Sequence, residues 1–179
     1  DNVKYEIAGY LPLTGNMQWY GEVIKNGMEL ALKHWNEDNG GINGKDVTLT
    51  FYDDKSDSTE CVNIAELVCS NADKYIAALG TFSSAVGMSA APIYEETGLI
   101  NFTPCGSHKD YAKIGPYTFA MAQVAKYESM GCAKAIIEIA AEDWGAKQIG
   151  MILAQDDQLH DTLLWYDYYA QKTGREVYY

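Results

Sequence analysis

No apolar run in this chain approaches the ~18–20 residues that a membrane-spanning helix requires. Basic residues are also scarce. Lys and Arg number 13 against 25 Asp and Glu, a formal net charge of −12 at pH 7. That balance argues against nucleic acid, whose affinity comes mostly from Lys and Arg on phosphates. It argues equally against anionic membrane surfaces. Histidine is limited to His34, His108 and His160, far apart and outside any H-E-x-x-H pattern. The four cysteines, Cys61, Cys69, Cys105 and Cys132, form no C-x-x-C pair and complete no Cys/His zinc pattern. Cys61 and Cys69 share one predicted helix, ~12 Å apart along its axis, too far for a disulfide. Buried free thiols are the expectation. The phosphate-cradling patterns G-x-G-x-x-G and G-x-x-x-x-G-K-[ST] are missing, as is the G-x-S-x-G elbow of many hydrolases. No cofactor and no metal are expected.

What remains is an ordinary globular composition, 47% apolar and 21% charged, with the apolar residues spread along the whole chain. Disorder is therefore not expected. The first residues, Asp1-Asn2-Val3-Lys4, show no basic start, apolar centre or cleavage site. Any targeting signal is expected to have been removed or never to have existed.

The apolar pattern alternates between two periods. Residues 3–11 alternate Val3, Tyr5, Ile7 and predict a strand. Residues 12–21 (PLTGNMQWYG) predict a loop, and Glu22 to Asp38 a helix closed by Asn39-Gly40-Gly41. Asp46 to Tyr52 predicts a second strand, and Asp57 or Ser58 caps the next helix. The continuous run YIAALGTF, residues 75–82, predicts a strand buried on both faces. Ser83-Ser84 opens a helix that Pro92 should bend or restart. A short strand (99–102), a loop (103–116), a brief extended segment (117–120) and a helix (127–143) follow. A buried strand QIGMILA (148–154), a helix (161–172) and the start of one more strand complete the pattern. Strand–helix alternation of this kind means an α/β fold: a doubly wound parallel sheet with helices on both faces. Two domains are expected, residues 1–120 and a partial one at 121–179. The last strand lacks a following helix, so the chain reads as part of a longer protein.

Parallel sheets of this type place ligands beyond the carboxyl ends of their strands. Three predicted strand-end loops carry candidate contacts. Trp19 and Tyr20 follow the first strand, Ser83 and Ser84 the third, and Cys105-Gly106-Ser107 the fourth. Ser84 would combine a hydroxyl with the unpaired N–H groups and positive end of a helix, which suits a carboxylate. The plain alternative for the two serines is a helix cap. Gln155 and Asp157, in a polar loop after QIGMILA, are further candidates. The Asp53-Asp54 pair sits where receiver domains carry a phosphoacceptor. A solvated loop pair is the simpler reading.

These residues carry a family resemblance. The chain resembles the N-terminal half of type I periplasmic binding proteins, in particular the leucine/isoleucine/valine-binding group of ABC-transporter receptors. The matching stretches include Pro12-Leu13-Thr14-Gly15, Gln18-Trp19-Tyr20-Gly21-Glu22 and Asn39-Gly40-Gly41-Ile42-Asn43-Gly44-Lys45. Tyr52-Asp53-Asp54, Gly80 through Ser84, and Pro92-Ile93-Tyr94-Glu95-Glu96 continue them in order. The resemblance implies two α/β lobes that close on an amino acid, with no catalysis. It implies that Ser84 binds the ligand carboxylate, that Cys105, Gly106 and Ser107 meet the ammonium, and that Tyr20, with Trp19 beside it, covers the ligand. It also implies an ABC-transporter permease as partner, and a periplasmic or extracellular location with a lipid anchor as one form.

The sequence departs from the family in places. The first-lobe disulfide of the family would fall on Ser56 and Ser83 and so is absent. The second-lobe aromatic is replaced by Leu159, which points away from a branched-chain pocket. A sensor domain of the same fold is the first alternative. A small doubly wound enzyme or receiver using Asp53 or Asp54 is the second.

Overall fold

The computed structural model describes residues 5–122, 125–152 and 159–179. It divides into two compact units, residues 1–122 and 123–179.

The first unit is built on β1 (Tyr5–Leu11), β2 (Val47–Asp53), β3 (Tyr75–Gly80), β4 (Asn101–Thr103) and β5 (Thr118–Ala120). All pair in parallel, in the order β2-β1-β3-β4-β5. The strand order reverses at β1, between its neighbours β2 and β3. In doubly wound sheets such a reversal opens a crevice at the carboxyl ends. Three helices connect the strands: α1 (Gln18–Asn39), α2 (Ser58–Cys69) and α3 (Ser84–Thr97). The helices lie on both faces of the sheet. On one face, α2 and α3 bury Cys61, Ile64, Ala65, Val68, Val86, Ala90 and Tyr94 against Ala8, Tyr10 and Ala78. On the other face α1 presents Met28, Ala31, Leu32 and Trp35 toward Ile7, Leu49 and Leu79 across an apolar groove of about 330 Å³.

Local chemistry explains the boundaries. Gly40 ends α1 in a left-handed conformation, its N–H donating to the Asn36 carbonyl at 2.9 Å. Asp57 caps α2, its carboxylate accepting the amides of Thr59 and Glu60 at 2.8 and 2.9 Å. The helix start expected at Glu22 lies four residues earlier, at Gln18, so Trp19 and Tyr20 belong to the first turn of α1 and not to a loop. Met17 at the N-cap makes no side-chain cap bond, and the turn is set by backbone bonds from Gln18 to Gly15 and from Tyr20 to Met17. Nor does α3 restart at Pro92: the helix runs through it. Burial of Ala90, Ala91 and Tyr94 holds both sides of the proline in place. β3 is not buried on both faces, because Ile76 at its start is 39% exposed.

The second unit pairs β6 (Gln148–Gly150) in parallel with β7 (Glu176–Tyr178). Its helices are α4 (Ala125–Ala133), a π-helical stretch Lys134–Ala140, α5 (Ala141–Asp143) and α6 (Leu159–Thr173). Ala133, Ile137, Tyr166, Tyr169 and Ala170 form its core. Of the strand expected to be buried at 148–154, Gln148 and Gly150 are exposed and Ile149 is half-buried, while residues 153 and 154 lie outside the described residues. Among the described residues this sheet has two strands, so each has one edge without a neighbouring strand, unlike the strands inside a wide parallel sheet.

Candidate functional site

The loops following β1, β3 and β4 meet at the carboxyl end of the five-stranded sheet. Their geometry starts from buried polar groups beneath them. Thr103, the last residue of β4, is fully buried. Its hydroxyl donates to the Thr81 carbonyl at 3.0 Å and accepts the Gly106 amide at 2.9 Å. The Cys105 amide approaches the same oxygen at 3.4 Å. One threonine thereby fixes the turn that carries Cys105, Gly106 and Ser107. A side chain at Gly106 would have to displace this packing, because an added Cβ would lie 2.7 Å from Thr103 Cγ2 and 2.9 Å from the Tyr111 ring.

Thr81 itself donates its hydroxyl to the carboxylate of Asp54. Asp54 also accepts the Ser56 amide at 2.8 Å, and its own N–H donates to the Leu11 carbonyl at 3.0 Å. The ends of β1, β2 and β3 are thus tied together by one buried residue, through its backbone N–H to β1 and its carboxylate to the end of β3. Burial pushes the Asp54 carboxyl up, and its bonds from Thr81 and Ser56 counter this only in part. Its neighbour Asp53 behaves oppositely. Burial raises it, but the Thr14 hydroxyl and the amides of Lys55, Leu13 and Thr14 together hold it below the usual range. The expected solvated pair is therefore split: Asp54 is an internal staple, while Asp53 is half-buried at the loop's surface. Sealed from solvent, Asp54 does not resemble an accessible phosphoacceptor.

Ser84, the first residue of α3, joins the third loop to the fourth. Its Oγ accepts the amides of Ser107 at 3.0 Å and His108 at 3.3 Å. With its lone pairs so engaged, the hydroxyl hydrogen is what Ser84 can offer an anion. Ser83 occupies the N-cap position, yet its side chain makes no cap bond. The plain capping alternative therefore does not hold for Ser83.

Trp19 and Tyr20 come to the same edge. Gly21, buried behind them, lets the start of α1 approach β1's end closely: an added Cβ would sit 2.0 Å from the Pro12 carbonyl oxygen. Trp19 remains 67% exposed and Tyr20 42%. The Tyr20 ring stacks on Phe82 at 4.2 Å and 16°, and Trp19 meets Tyr20 edge-on at 5.1 Å and 79°. The structure thus brings Ser84 to Ser107 by a hydrogen bond and Tyr20 to the Phe82–Ser84 loop by ring stacking. Phe82 was absent from the sequence candidates because it closes an apolar run that reads as strand. Thr81 and Thr103 were also missed, and Asp54 was read as solvated; the side-chain bonds that join the three span 22 to 27 residues. Gln155 and Asp157 lie outside the described residues.

All four cysteines are free, and Cys61 is buried as expected, but Cys132 is exposed. Cys105, at the site, is half-buried, and burial raises its thiol. Among the described residues no group of His, Cys, Asp and Glu is arranged to hold a metal ion. No described helix is long and apolar enough to cross a membrane.

Comparison with known proteins identifies the fold and the family. The chain is 33% identical over 105 residues to a Leu/Ile/Val-binding protein homolog of Brucella abortus, a stretch covering 59% of this chain and 28% of that one. Its fold matches the branched-chain amino acid transporter substrate-binding protein LivJ of Streptococcus pneumoniae, solved with isoleucine. The TM-score is 0.84 at 18% identity, over 97% of this chain and 48% of that one. It also matches an ABC-transporter solute-binding protein of Rhodopseudomonas palustris, solved with 3,4-dihydroxybenzoic acid. There the TM-score is 0.81 at 18% identity, over 98% and 46% of the two chains. The chain thus spans about half the length of the relatives it matches. A family model described as periplasmic binding protein matches residues 4–179. With a parallel sheet whose carboxyl edge gathers serine hydroxyls, backbone amides and aromatic rings, this chain belongs to the periplasmic binding protein family, alongside the Leu/Ile/Val-binding receptors of ABC transporters.

Proposed function

We infer that this chain binds an amino acid or similar small carboxylate at the carboxyl edge of its five-stranded sheet, and performs no chemistry on it. The observation that carries the reading is Ser84. Its oxygen is pinned by the amides of Ser107 and His108, so its hydroxyl hydrogen is aimed before any ligand arrives. It stands at the start of a 14-residue helix, where the helix dipole and unpaired N–H groups favour an anion. Preorganised donors of this kind bind a carboxylate without a cost of reordering. Cys105, Gly106 and Ser107 would meet the rest of the head group, and Trp19, Tyr20 and Ser83 would line the approach. Gln155 and Asp157 are proposed as further ligand contacts. The relatives support a carboxylate ligand: isoleucine and 3,4-dihydroxybenzoic acid, found in the two solved structures, share little besides one.

The biological setting follows the family. The protein would work outside the cytoplasm, in the periplasm or extracellularly, free or lipid-anchored, and deliver its ligand to an ABC-transporter permease. Residues 1–120 would form the first lobe of the receptor and residues 121–179 part of the second.

Isothermal titration of the chain against the common L-amino acids tests the reading. At least one should bind, and Ser84→Ala should lose about 1.5–3 kcal/mol of that binding, the range for a hydrogen bond to a charged group. Equal affinity in Ser84→Ala and Ser107→Ala would reject the site.

A further inference from the structure

We propose that Tyr111 is the positioning residue of the candidate site, its ring the common seat that holds the Ser84 turn of α3 and the Cys105–Ser107 loop at hydrogen-bonding distance. This rests on the carboxylate reading of Ser84 above and names what keeps that hydroxyl aimed. Tyr111 acts through the backbone of those two elements and meets no ligand itself. It is fully buried, although it opens only a short 3-10 turn, Tyr111–Lys113, between β4 and β5.

Two glycines meet this ring. Gly87 follows Ser84 at the spacing that shares one face of a helix. An added Cβ there would lie 2.2 Å from the Tyr111 hydroxyl oxygen and 3.0 Å from Cε2. Gly106, in the loop after β4, reaches the same Cε2, at 2.9 Å from an added Cβ. Helix turn and loop therefore rest on one ring edge, each through a residue without a side chain. Neither glycine adopts a positive φ. Close approach, to the ring and at Gly106 also to Thr103, is what these positions require.

The ring is also tied to the loop that it supports. The Tyr111 amide donates to the His108 carbonyl at 3.0 Å, and the Asp110 amide to His108 Nδ1 at 3.2 Å. The margin for movement is small. Ser84 Oγ accepts the Ser107 amide at 3.0 Å and the His108 amide at 3.3 Å, and such bonds are usually no longer than about 3.2 Å. A slight separation of α3 from the loop breaks the His108 bond first and frees the Ser84 hydroxyl to rotate. The Tyr111 hydroxyl lies beside Tyr10, Asn101 and Thr103 but has no hydrogen-bond partner among the described residues. The ring, and not the hydroxyl, therefore carries the positioning.

The whole chain is compared with Tyr111→Leu, Tyr111→Phe, Gly87→Ala and the double variant Gly87→Ala/Tyr111→Phe. Val68→Ala, a buried truncation near the end of α2, controls for lost stability alone. Hydrogen exchange at the Ser107 and His108 amides is measured without ligand, and calorimetry follows titration with L-leucine and L-phenylalanine, both where urea titration shows the variants folded. Tyr111→Leu and Gly87→Ala are expected to speed exchange at both amides and to weaken binding, each about five- to tenfold. Tyr111→Phe is expected to stay within about twofold of the native chain. It also removes the atom that the Gly87→Ala methyl meets first, so the double variant should recover most of the loss. Val68→Ala should lower the urea midpoint and leave exchange and binding unchanged. Should Tyr111→Leu fail to fold, Gly87→Ala and its rescue carry the same test. Native-like exchange in Tyr111→Leu, no recovery in the double variant, or Val68→Ala matching Tyr111→Leu in both measurements would overturn the proposal. A native chain that binds neither amino acid, with the exchange pattern as expected, would reject the carboxylate reading and still support Tyr111 as the seat of the Ser84 turn and its loop.

Discussion

The hydroxyl oxygen of Ser84 accepts the backbone amide of Ser107 across 3.0 Å, joining the first turn of α3 to the loop that follows β4. Two segments 23 residues apart in the chain are thereby held at one point. Removing the acceptor in Ser84→Ala should free the Ser107 and His108 amides, each bond contributing about 0.5–1.5 kcal/mol. Hydrogen exchange should then run faster at those two amides while the amides of β1 stay protected. Unchanged exchange at both would mean that Ser84 does not hold the loop.

Thr103 offers a sharper stability test. Thr103→Val keeps the shape but leaves the Gly106 amide and the Thr81 carbonyl without this partner in the interior. Such orphaned groups cost about 1–3 kcal/mol, readable as a lower urea midpoint. Thr103→Ser retains the oxygen and should recover most of that loss. Equal destabilisation by both would assign the effect to the methyl group.

The adjacent aspartates predict opposite pH behaviour. Burial raises Asp54, so the native form holds its proton more tightly than the unfolded chain. Its stabilising contribution is full below the unfolded value of about 3.9 and is lost as pH rises through the folded one. Asp53 is net lowered, so its contribution is present above about 3.9 and is lost as pH falls through the depressed folded value. Urea midpoints collected between about pH 2 and 7 should separate the two variants. Asp53→Asn should be less stable than the native chain at neutral pH, with the difference closing in acid. Asp54→Asn should instead flatten the decline in stability on the weakly acid side. Identical profiles for the two variants would contradict the assignment.

Two glycines of α1 should respond in opposite directions. Gly21→Ala drives a Cβ to 2.0 Å from the Pro12 carbonyl oxygen, a backbone atom. The helix start must shift, at a cost of about 1–3 kcal/mol, and Tyr20 should leave Phe82. Gly27 has nothing within 4 Å of an added Cβ. Gly27→Ala should stabilise by about 0.5–1 kcal/mol through helix propensity. Thermal unfolding of the two variants reads this directly.

The strand–helix alternation was legible because each element carries its own period and its own stop, as at Gly40 and Asp57. The candidate serines and the Cys105–Ser107 loop were legible because strand ends of a parallel sheet converge. The start of α1 was not, since its first turn rests on backbone bonds to Gly15 and Met17 with no capping side chain. Asp54 read as a solvated carboxylate because its partner Thr81 is 27 residues away. Phe82 hid at the end of an apolar run, and only the packing of α1 reveals it as a site residue. Pro92 read as a bend or restart; the helix does not restart there, because tertiary burial of Ala90, Ala91 and Tyr94 outweighs the missing N–H.

The central claim is that Ser84 and the Ser107 loop form one carboxylate-binding site. Amide chemical shifts followed by NMR during titration with L-phenylalanine and L-leucine test it most directly. The account predicts saturable shifts concentrated at Ser84, Ala85, Ser107 and His108, absent in Ser84→Ala. Saturable binding whose shifts lie elsewhere, or which persists unchanged in Ser84→Ala, would contradict it.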